Sequence, residues 1–241
     1  MENSGHQRER TVGVLGGLGP QASVDFLARL VAATPANNEQ EHIHVLLDHN
    51  PRVPNRHASI AGEGPSAAPV LAEMAARLQQ AGADFLVMAC NTAHAYADEI
   101  KAAVSIPFVS IIDVTIEALS RQHENRIGVM AASGCLQAGL YQRALEQAGY
   151  IPILWSDSDL ERFMSLVYRV KAGEDSPGMH SEMTELADLL QGLGAQALIA
   201  GCTEVPLLMR DGDSPLPLFS STDLLVERTI ALARHTLPLE T

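Results

Sequence analysis

Cysteine, basic residues and long apolar runs are all scarce in this chain of 241 residues. The three cysteines, Cys90, Cys135 and Cys202, are too few and too far apart for a disulfide framework. None forms the C-x-x-C pair of a structural zinc site, so they read as free thiols of a reducing cytoplasm. Only 16 Lys and Arg face 29 Asp and Glu, a formal charge of −13 with no offsetting basic stretch. Neither nucleic acid nor an anionic membrane surface is then an expected partner. No run reaches 18 apolar residues, which removes a transmembrane helix. The opening MENSGHQRER lacks the apolar segment of a signal peptide, and residues 1–10 are expected to be a disordered leader. What remains is an ordinary globular composition, 46% hydrophobic and 19% charged, long enough for one large or two modest domains. If so acidic a chain binds a small anion, it must set local cations against its own field.

Strand-like and helix-like segments alternate. Short apolar runs at 11–16, 42–48, 84–89 and 107–112 predict four buried strands, and runs at 126–131, 150–155, 196–201 and 217–221 predict four more. Between them, Ala22–Ala33 and Val70–Gln80 carry apolar residues at helical spacing, with Leu71, Met74, Ala75 and Leu78 on one face. This rhythm predicts an α/β fold of mainly parallel sheets flanked by helices.

The second half echoes the first. QQAGADFLVMACNT at 79–92 aligns with QGLGAQALIAGCTE at 191–204, equating Gly82 with Gly194, Leu86 with Leu198 and Cys90 with Cys202. Gly13 matches Gly128, and Pro107, Ser110 and Asp113 match Pro217, Ser220 and Asp223. Three matches in order at nearly constant offset predict two similar, pseudosymmetric halves of four strands each, which share a cleft if they face each other. Residues 11–108 plus 217–241 are expected to form the first domain and 109–216 the second, with crossings near Pro107 and Pro217.

Cys90 and Cys202 both leave an apolar strand just before a polar pair, Asn91-Thr92 and Thr203-Glu204. Ligands of open α/β sheets gather at the carboxyl ends of strands. Two thiols approaching one cleft from opposite sides suit removal of a proton from one face of a carbon and its return to the other. A free Cys is only about 3% thiolate at neutral pH, so the base needs help, which a helix N-terminus directly after each strand would give. The backbone N–H groups after each strand could hold a substrate carboxylate and the charge that spreads onto it. Cys135, after a strand in its own right, reads as a packed, non-catalytic thiol.

The glycine-rich turn at 16–19 also fits G-x-G-x-x-A from Gly17, with Asp48 as a ribose acid, but Asp48 lies too far downstream for a dinucleotide fingerprint. A tight strand-to-helix turn with Pro20 at the helix start is the better reading. His94 reads as a helix-face or supporting residue. His42 and His44 share one strand face but lack a third metal ligand, so no metal is expected.

These residues resemble the aspartate/glutamate racemase superfamily, and its aspartate racemase branch in particular. The matching stretches are VGVLGGLGP at 12–20, HNPRVPNR at 49–56, GADFLVMACNTAHA at 82–95, YRVKAG at 168–173 and AGCTEV at 200–205. Glutamate racemases serving cell-wall synthesis usually show G-C-T-H where this chain has Glu204. The resemblance implies a cofactor-independent racemase of aspartate, or of glutamate, with Cys90 and Cys202 as the acid/base pair. It places substrate contacts on Asn50, Asn91, Thr92, Thr203 and the turn around Ser133, and the side-chain carboxylate on Arg56 and Lys171. It also implies a homodimer. The Arg56 loop is expected to close over the substrate.

The chain departs from the family pattern at His49, Arg52, Asn55 and His57 of the loop, at Ala132, Ser133 and Cys135, and at Leu18. Reaction type therefore transfers better than substrate. Competing readings are an isomerase acting on a non-amino acid of the maleate or hydantoin type, and a non-catalytic protein that binds small acids.

Overall fold

The computed structural model describes residues 8–120 and 123–239. The first half runs β1 (Val12–Gly16), α1 (Pro20–Ala33), β2 (Val45–His49), α2 (Arg56–Ala61), α3 (Ala68–Gln80), β3 (Phe85–Met88), α4 (Ala97–Ala103) and β4 (Phe108–Val109). After α5 (Ile111–Leu119) the second half begins: β5 (Arg126–Met130), α6 (Ser133–Gln137), α7 (Leu140–Gln147), β6 (Ile151–Ile153), α8 (Asp157–Lys171) and α9 (Pro177–Gly192). It ends with β7 (Ala197–Ala200), α10 (Val205–Leu208), β8 (Leu218–Ser220) and α11 (Ser221–Ala233). Two four-stranded sheets result, ordered β2-β1-β3-β4 and β6-β5-β7-β8, with every pairing parallel. This is the expected pair of parallel α/β sheets.

The internal echo is physical as well as textual. In each half the first strand carries a glycine because the next sheet neighbour and a helix press on it. A Cβ at Gly13 would lie 2.6 Å from Leu86 Cδ2 and 3.2 Å from Leu78 Cβ. One at Gly128 would lie 2.5 Å from Leu198 Cδ2 and 3.2 Å from Leu190 Cβ. Gly82 and Gly194 both take positive φ, at 100° and 93°, where the helix turns back into β3 or β7. The N–H of Leu86 bonds the carbonyl of Pro107, and that of Leu198 the carbonyl of Pro217. Ser110 and Ser220 each cap a helix by accepting from the N–H of Asp113 or Asp223.

Strand alternation sorts side chains into layers. Val12, Val14, Phe85 and Val87 join Ile127, Val129, Ile199, Ile111 and Leu225 in a core shared by the halves. Leu15, Leu86 and Met88 face the other way onto α3, and Leu198 and Ala200 face α8 and α9 in the same manner.

Several boundaries differ from expectation. Residues 107–112 do not form one strand, because Ser110 caps α5 and the chain turns helical at Ile111. Likewise β2 begins only at Val45, so His42 and His44 are not strand neighbours. His44 Nδ1 instead lies 3.1 Å from Thr11 Oγ1. The crossing expected at Pro217 falls later: Leu218–Ser220 pair with β7 as an edge of the second sheet, and only α11 returns toward α1. Val109 pairs with Val87, which puts the other crossing after residue 109. Of the expected leader, residues 1–7 lie outside the described residues. Arg8 is anchored on the Asp84 carboxylate and the Arg10 N–H on the Ala233 carbonyl, so 8–10 are part of the fold.

Gly13→Ala and Gly128→Ala should each destabilise the protein by about 1–3 kcal/mol, since backbone and leucine must part to admit the methyl group. Urea denaturation checks this, and equal costs at the two positions would reflect the shared packing.

Candidate functional site

Both strand-end cysteines lie at the third strand of their sheet, two residues beyond the ends of β3 and β7. Cys90 and Cys202 are nearly enclosed and unpaired. Behind Cys90, His94 Nδ1 donates to the Cys90 carbonyl at 2.8 Å while its Nε2 accepts the Ile111 N–H at 3.1 Å. Burial in this spot pushes His94 down to about 4, so a neutral imidazole ties the cysteine to the start of α5. That is the supporting role expected for His94. Cys135 is wholly buried, and burial with the nearby Cys90 drives its thiol up, away from acid/base use.

The second thiol has a different neighbourhood. Cys202 Sγ donates to Glu204 Oε2 at 2.9 Å, and the Thr203 hydroxyl reaches the same oxygen at 3.4 Å. The other oxygen of this buried carboxylate lies 3.8 Å from Lys171 Nζ, which the last turn of α8 carries. Burial and the Glu204 charge push the Cys202 thiol well up, while Lys171 pulls against them. Burial works against the Lys171 ammonium, but Glu204, with Cys202 and Cys90 beyond it, raises its pKa overall.

The glycine turn brings the first half against this group. A Cβ at Gly17, where φ is 84°, would strike the Asn50 backbone at 2.5 Å, and one at Gly19 would lie 2.7 Å from Glu204 Oε1. Ser23 holds the turn by accepting the Gly17 N–H and donating to the Gly19 carbonyl. A carboxylate set against a helix start repels a pyrophosphate, which agrees with the turn reading over a dinucleotide site.

Asn55 caps α2 by accepting the N–H groups of His57 and Ala58, so asparagine serves here as well as the family's aspartate. The Arg56 guanidinium donates to the carbonyls of Val53, Pro54 and Leu18. That engages three of its five N–H groups and leaves two for a ligand. The Asn50 side chain closes a local turn by accepting the Arg52 N–H. Helix α2 also reaches the second half: His57 Nδ1 accepts the Gly134 N–H at 3.0 Å and lies 3.5 Å from Ser133 Oγ. Thr92 is at hand, its methyl 3.0 Å from where a Gly134 Cβ would stand. Burial, Lys171 and Arg56 together push His57 down to about 4, so it stays an acceptor.

Of the expected contact residues, Lys171 and Thr203 meet Glu204 beside Cys202, Ser133 lies against His57, Thr92 lies near Gly134, and Arg56 binds its own loop and the glycine turn. Asn91 is committed to the scaffold, accepting the Tyr141 hydroxyl at 2.7 Å and donating to Ser221 at 3.1 Å. In the sequence Glu204 reads as part of the polar pair after Cys202 and as a mark of the branch, and His57 only as a departure. The signal for Glu204 was available: two residues beyond the equated cysteines the halves carry Thr92 and Glu204. No signal pointed to Tyr141, whose part depends on packing between α7 and the strand ends. Among the described residues no cluster of three or more His, Cys, Asp or Glu could hold a metal, and no helix is long and apolar enough to cross a membrane.

Two parallel four-stranded sheets of equivalent strand order, flanked by helices and each followed by a cysteine just past its third strand, define a two-domain α/β protein. The chain belongs to the Asp/Glu/hydantoin racemase family, whose profile matches residues 15–229. It is 22% identical over 231 residues to the broad-specificity amino-acid racemase RacX of Bacillus subtilis, covering 91% of this chain and 96% of that one. A glutamate racemase of Deinococcus radiodurans is 29% identical over 172 residues, 68% of this chain and 56% of that one. In fold it is similar to the Picrophilus torridus aspartate racemase, with a TM-score of 0.84 at 24% identity, covering 93% and 94% of the two chains.

His57 and His94 predict a pH dependence of stability. Both are held down to about 4 in the fold against an ordinary value near 6.5, so the unfolded chain takes up protons that the native state refuses. Their contribution is complete above pH 6.5 and is lost progressively toward pH 4. Denaturant midpoints should fall between pH 6.5 and 5, before most carboxylates titrate. A flat profile across that window would contradict the assigned imidazole states.

Proposed function

We propose that this protein is a cofactor-independent racemase of an acidic amino acid, aspartate or glutamate, that works by proton transfer between Cys90 and Cys202. The observation that carries the reading is the placement of one thiol at the equivalent strand end of each half, with Lys171 beside the carboxylate that Cys202 meets. In one direction the Cys90 thiolate takes the Cα proton while the Cys202 thiol delivers its own to the opposite face. In the other direction the roles exchange. Backbone N–H groups of the turns after β3, β5 and β7, with Thr92, Thr203 and Ser133, would receive the α-carboxylate and amino group, as would Asn50 at the loop edge. The free N–H pair of Arg56 and the Lys171 ammonium would hold the side-chain carboxylate. These are the local cations that a chain of charge −13 needs for an anionic ligand. His57 closes α2 against the second half, which excludes water from the cleft. A homodimer in a reducing cytoplasm completes the reading, and three unpaired cysteines suit such a compartment.

The partial engagement of Arg56 and the broad-specificity relative favour testing neutral amino acids beside the acidic pair. Proton NMR in D2O with reduced enzyme and no added cofactor should show the Cα–H signal of L-aspartate or L-glutamate disappearing as the D form appears. Cys90→Ala and Cys202→Ala should each lower the rate of inversion by about 10²–10⁴-fold. Inversion that survives either substitution would exclude the two-thiol mechanism. Silence across aspartate, glutamate, maleate, hydantoins and neutral amino acids would leave a small-acid-binding protein as the better account.

A further inference from the structure

The pseudosymmetry breaks where the protons travel. Two residues past each strand-end cysteine stand Thr92 in one half and Glu204 in the other. Cys202 Sγ donates to Glu204 Oε2 at 2.9 Å, whereas no hydrogen bond to the Cys90 sulfur occurs among the described residues. A sulfur that donates to an ionised carboxylate must keep its proton. Glu204 is 3% exposed, and its far oxygen lies 3.8 Å from the Lys171 ammonium. Gly19, with no side chain, leaves room for that oxygen.

We infer that Glu204 is a positioning residue that keeps the proton of the resting enzyme on Cys202, leaving Cys90 to act as the first base. The inference rests on the two-thiol reading and says which thiol begins. A Cys90 S–H bond forms as the Cα–H bond breaks, and the electron pair spreads toward the substrate carboxylate. The Cys202 S–H bond then breaks as a new Cα–H bond forms on the opposite face, leaving a thiolate beside Glu204. That arrangement sets two negative groups 2.9 Å apart with one cation, Lys171, in reach of both. It is the less stable free form, and it reverts by running the reaction backwards or by passing a proton from Cys90 to Cys202 through solvent. Free enzyme therefore accumulates in the form that accepts the enantiomer whose Cα–H faces Cys90.

Alkylation by iodoacetamide, read at each cysteine by peptide mass spectrometry, tests this without relying on racemisation. The two residues are similarly exposed, Cys90 at 7% and Cys202 at 6%, and fully buried Cys135 serves as the unreactive control. In the wild-type protein at pH 7, Cys90 should be labelled at least about tenfold faster than Cys202, because only a thiolate reacts. Labelling of Cys202 should require a higher pH than labelling of Cys90. The groups facing Cys202 in that titration are Glu204 beside it, Lys171 from α8 and Tyr141 from α7. Arg56 from α2 bears on Lys171. In Glu204→Gln, with folding verified by circular dichroism, Cys202 labelling should rise by about tenfold or more as Lys171 is left to favour the thiolate. Equal labelling of both thiols in the wild type, or an unchanged Cys202 rate in folded Glu204→Gln, would overturn the inference. If that variant does not fold, the wild-type pH comparison decides alone. Loss of deuterium exchange in the wild type would count against the racemase reading and leave the labelling result standing.

Discussion

Parallel strands must be covered on both faces, and the rest of this structure follows from that requirement. Helices take the two faces of each sheet, so the open ends of the strands are the remaining place for polar chemistry. Two sheets of identical strand order put Cys90 and Cys202 at matching ends. The same packing dictates small residues behind them: Gly13 and Gly128 exist because Leu86 and Leu198 lie where a methyl group would be. The close fit of the core and the position of the thiols are thus one constraint seen at two places.

Electrostatics then makes the halves unequal. In this acidic protein neither Arg56 nor Lys171 is an idle cation. Arg56 binds loop carbonyls that include Leu18 of the glycine turn, and Lys171 sits beside the buried Glu204. The cleft is a set of compensated charges in which one thiol has a carboxylate acceptor and the other has none among the described residues. Neutral His94 and His57 brace this set from opposite sides, one behind Cys90 and one across the two halves. Burial keeps both imidazoles uncharged, so they strengthen the scaffold without adding to the positive field.

Much of this was legible in the residues. Apolar runs with turn signals located all eight strands, and the echo between 79–92 and 191–204 corresponds to contacts repeated almost ångström for ångström. The errors are local and share a cause. At 107–112 and 217–221 apolar residues continue straight through a serine cap, and hydrophobicity alone does not mark where a strand yields to a helix. The leader was misjudged at Arg8 and Arg10 because their partners, Asp84 and Ala233, are remote in sequence.

The sequence by itself determined the class of fold, its duplication and the two cysteines, because periodicity and repeated spacing are properties of the chain read in order. Only the tertiary structure decided what surrounds those cysteines. That Asn91 belongs to the scaffold, that His57 reaches Gly134, and that Glu204 joins Cys202 to Lys171 are facts of side chains from distant segments meeting in a medium of low dielectric. Such encounters set hydrogen-bond partners and charge states, and neither is encoded in spacing along the chain.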